Sequence, residues 1–394
     1  MKLLIISPTP TDPLTAGNRV RVWNLFTALE YLGHNVTFAY VPYEHGSDDC
    51  YAMERRLRDR LCILQATQPP FPSRLGGVKR KIRTALRLPS VHLWHVDEWF
   101  DVGLVPQIAT LQSANKYETV LIEYVFLSKL ASVFPKSVRT IIDNSDLFGE
   151  RHKHYLNSGL NPTWFATTAN EEIRALNRAD AVIAIQEEEA EYLRRRGIRE
   201  VFCVGHLSTH QATPLPDPGG TRLLFVGSAN PINVQGLEWF VQSVLPQIRV
   251  AVPSCQLAIV GPAGEQRAWP DGVLALGQTE SLAAAYAEAA VVVNPVVFGT
   301  GLAVKTIEAL GYGKAVVATA AGARGLGPEF ANALSIAKNG NTFAQRVVEL
   351  LQSKAARLEL SRNAVATIDT WRLRQLAALD EAVKGNKNGR TARC

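Results

Sequence analysis

The stretch FGTGLAVKTIEALGYGKAVVAT, residues 298–319, sets one cation and one anion, Lys305 and Glu308, inside an otherwise apolar run. It reads as a loop, a helix over 302–312, glycine punctuation and a buried strand, AVVAT. A helix that begins close to Gly301 directs the free N–H groups of its first turn, and the positive end of its dipole, at an anion such as a diphosphate. Lys305 lies about one turn in and adds a charge-assisted contact to the same anion. Glu308 is three residues further, on nearly the same face. A carboxylate only accepts hydrogen bonds and a ribose diol offers two donors, so a diphosphate at the helix tip with a ribose beside it accounts for both charges. The competing reading is an i,i+3 ion pair on a helix surface, worth roughly a few tenths of a kcal/mol. The helix is so apolar that both its sides read as packed, which favours a site.

Polar groups also gather at strand ends in the first half. IIDNSDLFGERHKH, residues 141–154, closes a buried strand with Asp143 and Asp146 and continues through Arg151, His152 and His154, while Glu123 ends the neighbouring strand. Asp146 and Glu123 are candidates for substrate orientation or proton handling, and Asp143 for the cleft. A helix N-cap is an equal reading for one of the two aspartates. His152 and His154, at i,i+2 spacing, read as solvated helix residues and not as metal ligands. His206, in VGHLST, is a candidate at the domain junction, with a structural role equally open.

The elements that must position these groups alternate. KLLIIS, NVTFAYV, TVLIEY, VRTIID, AVIAI and VFCV are continuous apolar runs of strand length separated by loops and helical patterns, as in a parallel sheet covered on both faces. STHQATPLPDPGGT, rich in Pro, Gly and Thr, reads as a linker. The alternation then restarts with RLLFVG, a helix over VQGLEWFVQSVLPQI, and the strands CQLAIVG, VLALG, VVVNPVV and AVVAT. At 394 residues the chain exceeds what one core ordinarily serves. The expected organisation is a Rossmann-like domain over 1–206, a linker over 207–222, and a second Rossmann-like domain over 223–340. Helices over 341–383 are free to cross back to the first domain, and 384–394 reads as a disordered tail. Two doubly wound α/β domains place their sites at the carboxyl ends of the strands, facing across a cleft.

Composition narrows the function. The chain is 47% hydrophobic and 20% charged, an ordinary globular balance, and its net charge of +6 is too small over this length to indicate nucleic-acid binding. Its cysteines, Cys50, Cys62, Cys203, Cys255 and Cys394, are odd in number and widely spaced, which suggests neither a disulfide framework nor a zinc site. The N-terminal apolar run breaks at Pro8, and no run approaches the ~20 residues needed to span a bilayer, so a cytoplasmic protein is expected. Between Leu61 and Val96 there is no acidic residue, while Lys79, Arg80, Lys81, Arg83 and Arg87 stand opposite an apolar stripe. A basic amphipathic helix suits an anionic membrane surface at the inner face, or a lipid-linked acceptor. A solvated basic face is an equal reading.

These residues resemble the nucleotide-sugar signature of the retaining glycosyltransferases of family 4, which have the GT-B fold. VFGTGLAVKTIEALGYGKAVVAT carries the resemblance, supported by LLFVGSANPINVQGLEWFVQSVLPQI, GQTESLAAAYAEAAVVVNP, the entry loop with Gly17, and IIDNSDLFGERHKH. It covers the second domain fully and the first loosely. The resemblance implies that Glu308 holds the donor ribose and that Lys305 lies near the diphosphate. It further implies that Gly227, Ser228 and Asn233 form the donor-facing loop with Thr300, Gly301 and Leu302, and that Gly17 and Arg19 close over the distal phosphate. An αL turn residue is an even reading for Gly17. The family often has a second glutamate eight residues before the ribose-binding one, where this chain has Thr300, which puts the identity of the sugar in doubt.

The implied chemistry is front-face attack, in which the acceptor hydroxyl gives its proton to the departing phosphate. Such a step needs electrostatic stabilisation of the leaving group by Lys305, Arg19 and the helix tip more than it needs a nucleophile. No metal is required, and DNSD does not have Asp-X-Asp spacing. The expectation is a hexosyltransferase-like enzyme of polysaccharide biosynthesis, taking a nucleoside diphosphate-sugar donor to a glycan or lipid-linked acceptor. The alternatives are a non-catalytic nucleotide-sugar-binding scaffold and, further off, a sugar epimerase.

Overall fold

Runs such as KLLIIS and RLLFV carry large apolar side chains on both faces, and in the computed structural model they form strands buried on both sides. The structure describes residues 1–14, 16–43, 47–66, 92–157, 159, 161–162, 164–207, 212–279, 281–299 and 301–385. Thr300, the basic residues Lys79, Arg80, Lys81, Arg83 and Arg87, and the tail from 386 lie outside them.

Strands β1 (Lys2–Ser7), β2 (Asn35–Tyr40), β3 (Leu61–Ile63), β4 (Thr119–Glu123), β5 (Arg139–Asn144), β6 (Ala181–Ala184) and β7 (Val201–Cys203) form a parallel sheet in the order β3-β2-β1-β4-β5-β6-β7. Along β1, Leu4 and Ile6 pack into one core and Leu3 and Ile5 into the core on the opposite face. Strands β8 (Arg222–Val226), β9 (Gln256–Val260), β10 (Val273–Gly277), β11 (Val291–Asn294), β12 (Val316–Thr319) and β13 (Ser335–Ala337) form a second parallel sheet, β10-β9-β8-β11-β12-β13. Leu223 and Phe225 point to one of its cores and Leu224 to the other. Both sheets reverse strand order once, between β1 and β4 and between β8 and β11, and open α/β sheets bind ligands outside the carboxyl ends at such points.

The chain divides into two compact units, residues 1–209 with 375–394 and residues 210–374. A helix over Gly340–Gln352 ends at Ser353 and the helix Lys354–Lys384 follows. In the second unit Arg357 clasps Asp217 through Nε and Nη2 at 2.9 and 2.8 Å, and Ala364, Ile368 and Trp371 join a core. In the first unit Leu376, Leu379, Ala382 and Val383 pack with Leu3 and Ile5. There Arg139 Nε donates to the Ala382 carbonyl at 2.7 Å, and Thr119 Oγ1 to that of Val383 at 3.0 Å.

Two local readings change. The helix expected over 234–248 is Pro231–Trp239, a π-helical turn over Phe240–Val244 and a further helix, Leu245–Ala251. Pro246 has no N–H to donate to the preceding turn, and the ladder shifts at that point. The helix expected over 302–312 spans Val304–Gly311, because Gly301 sits at φ +80° and Ala303 takes the N-cap.

Candidate active site

The later start of the helix Val304–Gly311 puts Lys305 in its first turn. Lys305 and Glu308 are both half-buried. The ammonium donates not to Glu308 but to Asn233 Oδ1 at 2.5 Å, and lies 4.5 Å from the centre of the Phe225 ring. Asn233, in the helix Pro231–Trp239, is itself held by Nδ2, which donates to the Ser228 carbonyl at 3.0 Å. The Lys305–Glu308 surface pair is therefore not formed, and Lys305 is instead tied to the loop that leaves β8. Burial pulls the Lys305 amine down to about 7, against the opposing charge of Glu308. Burial likewise pushes the Glu308 carboxyl up to about 7, against Lys305. Tyr286 and Tyr312 stack with their rings 4.6 Å apart, and burial, with the added charge of Glu308, raises the phenol of each.

The surrounding backbone is fitted closely. A Cβ on Gly227 would stand 2.6 Å from Cε1 of Phe225 and 3.2 Å from Nδ2 of Asn233, so glycine there lets the ring lie beneath Lys305. Asn294, at the end of β11, donates from Nδ2 to Thr306 Oγ1 at 2.9 Å and to the Gly322 carbonyl at 3.0 Å, and Thr306 Oγ1 donates to the same carbonyl at 2.6 Å. This bonding pins the helix Val304–Gly311 to β11. Arg324 braces the loop between them: its Nη1 donates to the Gly299 carbonyl at 3.1 Å and its own carbonyl accepts from the Ala303 N–H at 3.0 Å. Gly227, Ser228, Asn233, Gly301, Leu302, Lys305 and Glu308 all belong to the strand ends, loops and helix starts beyond β8 and β11.

In the first unit, Arg21, from the helix Gly17–Tyr31, forms a buried bidentate pair with Asp143, Nε to Oδ2 at 2.9 Å and Nη2 to Oδ1 at 2.6 Å. The same guanidinium donates to the carbonyls of Gly205 and Val204 at 2.9 and 3.1 Å. Asp143 lies within β5 and is spent on Arg21, and Asp146 is not adjacent to the helix Arg151–Asn157, so neither aspartate is an N-cap. Asp146 faces Arg151 at 3.6 Å, and burial raises its carboxyl. Glu123 is buried and shares a hydrogen bond with the Ser7 hydroxyl. Burial lifts its carboxyl well above the ordinary value and favours its neutral form. Ser7 in turn donates to the Thr9 carbonyl at 2.9 Å. His206 is buried, and desolvation with the nearby Arg21 charge pulls it to about 4, so it is neutral and weakly basic.

Arg19 does not stand free for a phosphate: it forms a bidentate pair with Asp49 at 2.9 and 3.0 Å and donates to the Asp12 carbonyl at 2.9 Å. Gly17 opens its helix without a left-handed φ, and a Cβ there meets nothing within 4 Å, so the αL reading fails and the fold itself does not demand glycine. His152, expected to be solvated, is buried. Sequence reasoning passed over Phe225, Asn294, Arg324 and Arg21, and the buried acids Glu172 and Glu189, which desolvation pushes up to about 7 and about 8. Arg21 carried a faint signal as a charge among the apolar positions of its helix, whereas Phe225 looks like any strand residue.

Two parallel sheets with these strand orders define a GT-B α/β protein, and solved structures agree. Sucrose-phosphate synthase from Thermosynechococcus elongatus superposes with a TM-score of 0.63 at 18% identity, covering 95% of this chain and 96% of that one. A TarM variant of S. aureus, in complex with fondaparinux, alpha-GlcNAc-glycerol and UDP, gives a TM-score of 0.64 at 10% identity, covering 96% and 99%. In sequence, the chain is 22% identical over 393 residues to an uncharacterised 44.6 kDa protein in the cps region of Klebsiella pneumoniae, covering 93% of this chain and 95% of that protein. Residues 220–353 match the family model described as glycosyl transferases group 1. The second unit thus carries a group 1 glycosyltransferase domain, and the chain is a glycosyltransferase. Among the described residues no helix is long and apolar enough to cross a membrane, and no group of three His, Cys, Asp or Glu side chains is arranged to hold a metal ion.

Proposed function

We propose that this enzyme belongs with the retaining glycosyltransferases of family 4 and moves a sugar from a nucleoside diphosphate donor to a glycan or lipid-linked acceptor. The observation that carries the reading is Lys305, half-buried at the start of a helix beyond β11, held by Asn233 and followed one turn on by Glu308. Lys305 and the helix N-terminus oppose the charge that grows on the leaving diphosphate. Glu308 accepts from the ribose hydroxyls. The acceptor hydroxyl attacks the anomeric carbon on the face the diphosphate leaves, the C–O bond to phosphate breaks, and the hydroxyl proton passes to the departing phosphate oxygen. Countercharge from the protein makes a divalent metal unnecessary in this scheme. UDP is the first nucleotide to test, because the TarM structure contains it. The cps-region relative supports a place in polysaccharide biosynthesis. Peripheral attachment to an anionic membrane through the basic residues Lys79–Arg87 is part of the proposal.

Incubation with UDP-hexoses and acceptor glycans, followed by NMR of the product anomer, tests the reaction. The expected result is transfer with the donor's anomeric configuration, insensitive to EDTA and lost in Glu308→Ala. Inverted product, or activity abolished by chelation, would refute the retaining, metal-free scheme.

A further inference from the structure

A small surface cavity in the first unit is lined by Arg151, His152, Tyr155, Pro162 and Trp164. It lies beyond β5, and Arg151 belongs to the helix Arg151–Asn157. Its guanidinium is set among aromatic rings, with Cζ 5.3 Å from the ring centre of Trp164 and 5.6 Å from those of Phe148 and Tyr155. Among the described residues only Nη2 has polar company, the Tyr155 hydroxyl at 3.3 Å and Asp146 at 3.6 Å. Among them Nε and Nη1 have no hydrogen-bond partner, and the Arg151 side chain is only 13% exposed. His152 beside it is 3% exposed, and its Nδ1 is also without a partner. A buried cation with two idle donors is costly, and proteins retain such groups where a ligand completes them.

The structure assigns this cavity, we infer, as a subsite for a carboxylate carried by the acceptor, so that the enzyme prefers a glycan containing an acidic sugar. The assignment rests on the glycosyltransferase reading and extends it to the acceptor. Nε and Nη1 can each make a charge-assisted hydrogen bond to an anionic oxygen. The cavity takes a substituent and not a whole ring. The charge balance favours a monoanion: Arg151 is the one cationic side chain among the described residues that line the cavity, and Asp146 already opposes it at 3.6 Å.

The test is saturation-transfer NMR on the full chain with D-glucuronate and D-glucose at equal concentration, with UDP binding followed in the same samples. Glucuronate should bind at least about tenfold more tightly than glucose, the loss typical of one charge-assisted hydrogen bond. Arg151→Gln should abolish that preference while UDP binding is kept. Acetate should displace glucuronate from the wild type, a measurement that stands even if the variant fails to fold. Equal binding of the two sugars, glucuronate binding unchanged in Arg151→Gln, or inorganic phosphate binding more tightly than glucuronate would each overturn the assignment. UDP binding without glucuronate preference refutes the subsite alone, whereas loss of both removes the donor reading as well.

Discussion

Lys305 is poised where a change of charge matters. An amine pulled to about 7 is only partly protonated at neutral pH, and a diphosphate beside it favours the ammonium, so Lys305 takes up a proton on donor binding. The Lys305 contribution to donor affinity falls as pH rises through about 7, while Glu308, lifted to about 7, must ionise to accept from the ribose and contributes with the opposite sign. Calorimetry in two buffers of different ionisation enthalpy should register less proton uptake, or more release, in Lys305→Met than in the wild type. That variant should bind donor about 10- to 100-fold more weakly, the range expected for a hydrogen bond to a charged group. Lys305 and Glu308 were legible in the sequence because lone charges in an apolar helix need a reason. Their surroundings were not: Asn233 is 72 positions away, and no periodicity links it to Lys305. Nor could the chain's order of residues reveal that Arg19 is engaged by Asp49 while Arg21 takes the buried role.

At the scale of elements, the site depends on how closely strand ends approach the helices that follow them. Gly227→Ala would drive a methyl into the Phe225 ring, which must then shift under Lys305. The expected result is donor affinity reduced by about tenfold, with stability lowered by about 1–3 kcal/mol, as for overpacking. Fluorescence titration and urea unfolding measure the two effects. Arg21→Ala would leave Asp143 buried without its partner, together with two backbone carbonyls, and should cost about 3–5 kcal/mol in urea unfolding. The alternating strands and helices were legible because parallel sheets bury continuous apolar runs. β3 and β13, three residues each, were not read from the sequence although the equally short β7 was, and the π-turn escaped because a single proline reads as compatible with a helix start.

Across the whole molecule, burial raises several carboxyls of the first unit and favours their neutral forms in the folded state. Glu172 and Glu189 are lifted to about 7 and about 8 from an ordinary 4.5. Groups raised in this way contribute stability that is complete below pH 4.5 and lost as pH rises through about 7 to 8, because the unfolded chain releases those protons first. Their contribution to melting temperature should therefore fall between pH 5 and 8, set against the rise that His206, pulled down to about 4, contributes up to its ordinary 6.5. Relative to wild type, Glu189→Gln should gain stability as pH rises and be more stable at pH 8 by on the order of 1–3 kcal/mol. A difference between the two proteins that does not change with pH would show that Glu189 ionises normally. The two-sheet GT-B plan followed from strand alternation and the signature around Lys305, while the buried acids of the first unit look in sequence like solvated helix residues.

The most direct measurement for the central claim is a thermal-shift series with UDP, GDP, dTDP and CMP and their common sugar conjugates, run on wild type and Glu308→Ala. A nucleotide at 100 times its Kd stabilises the folded state by about 2.7 kcal/mol. Clear stabilisation by one nucleoside diphosphate and its sugar conjugates, lost or strongly reduced in Glu308→Ala, is expected. Stabilisation by none of them, or equal stabilisation of the variant, would contradict a donor site built on Lys305 and Glu308.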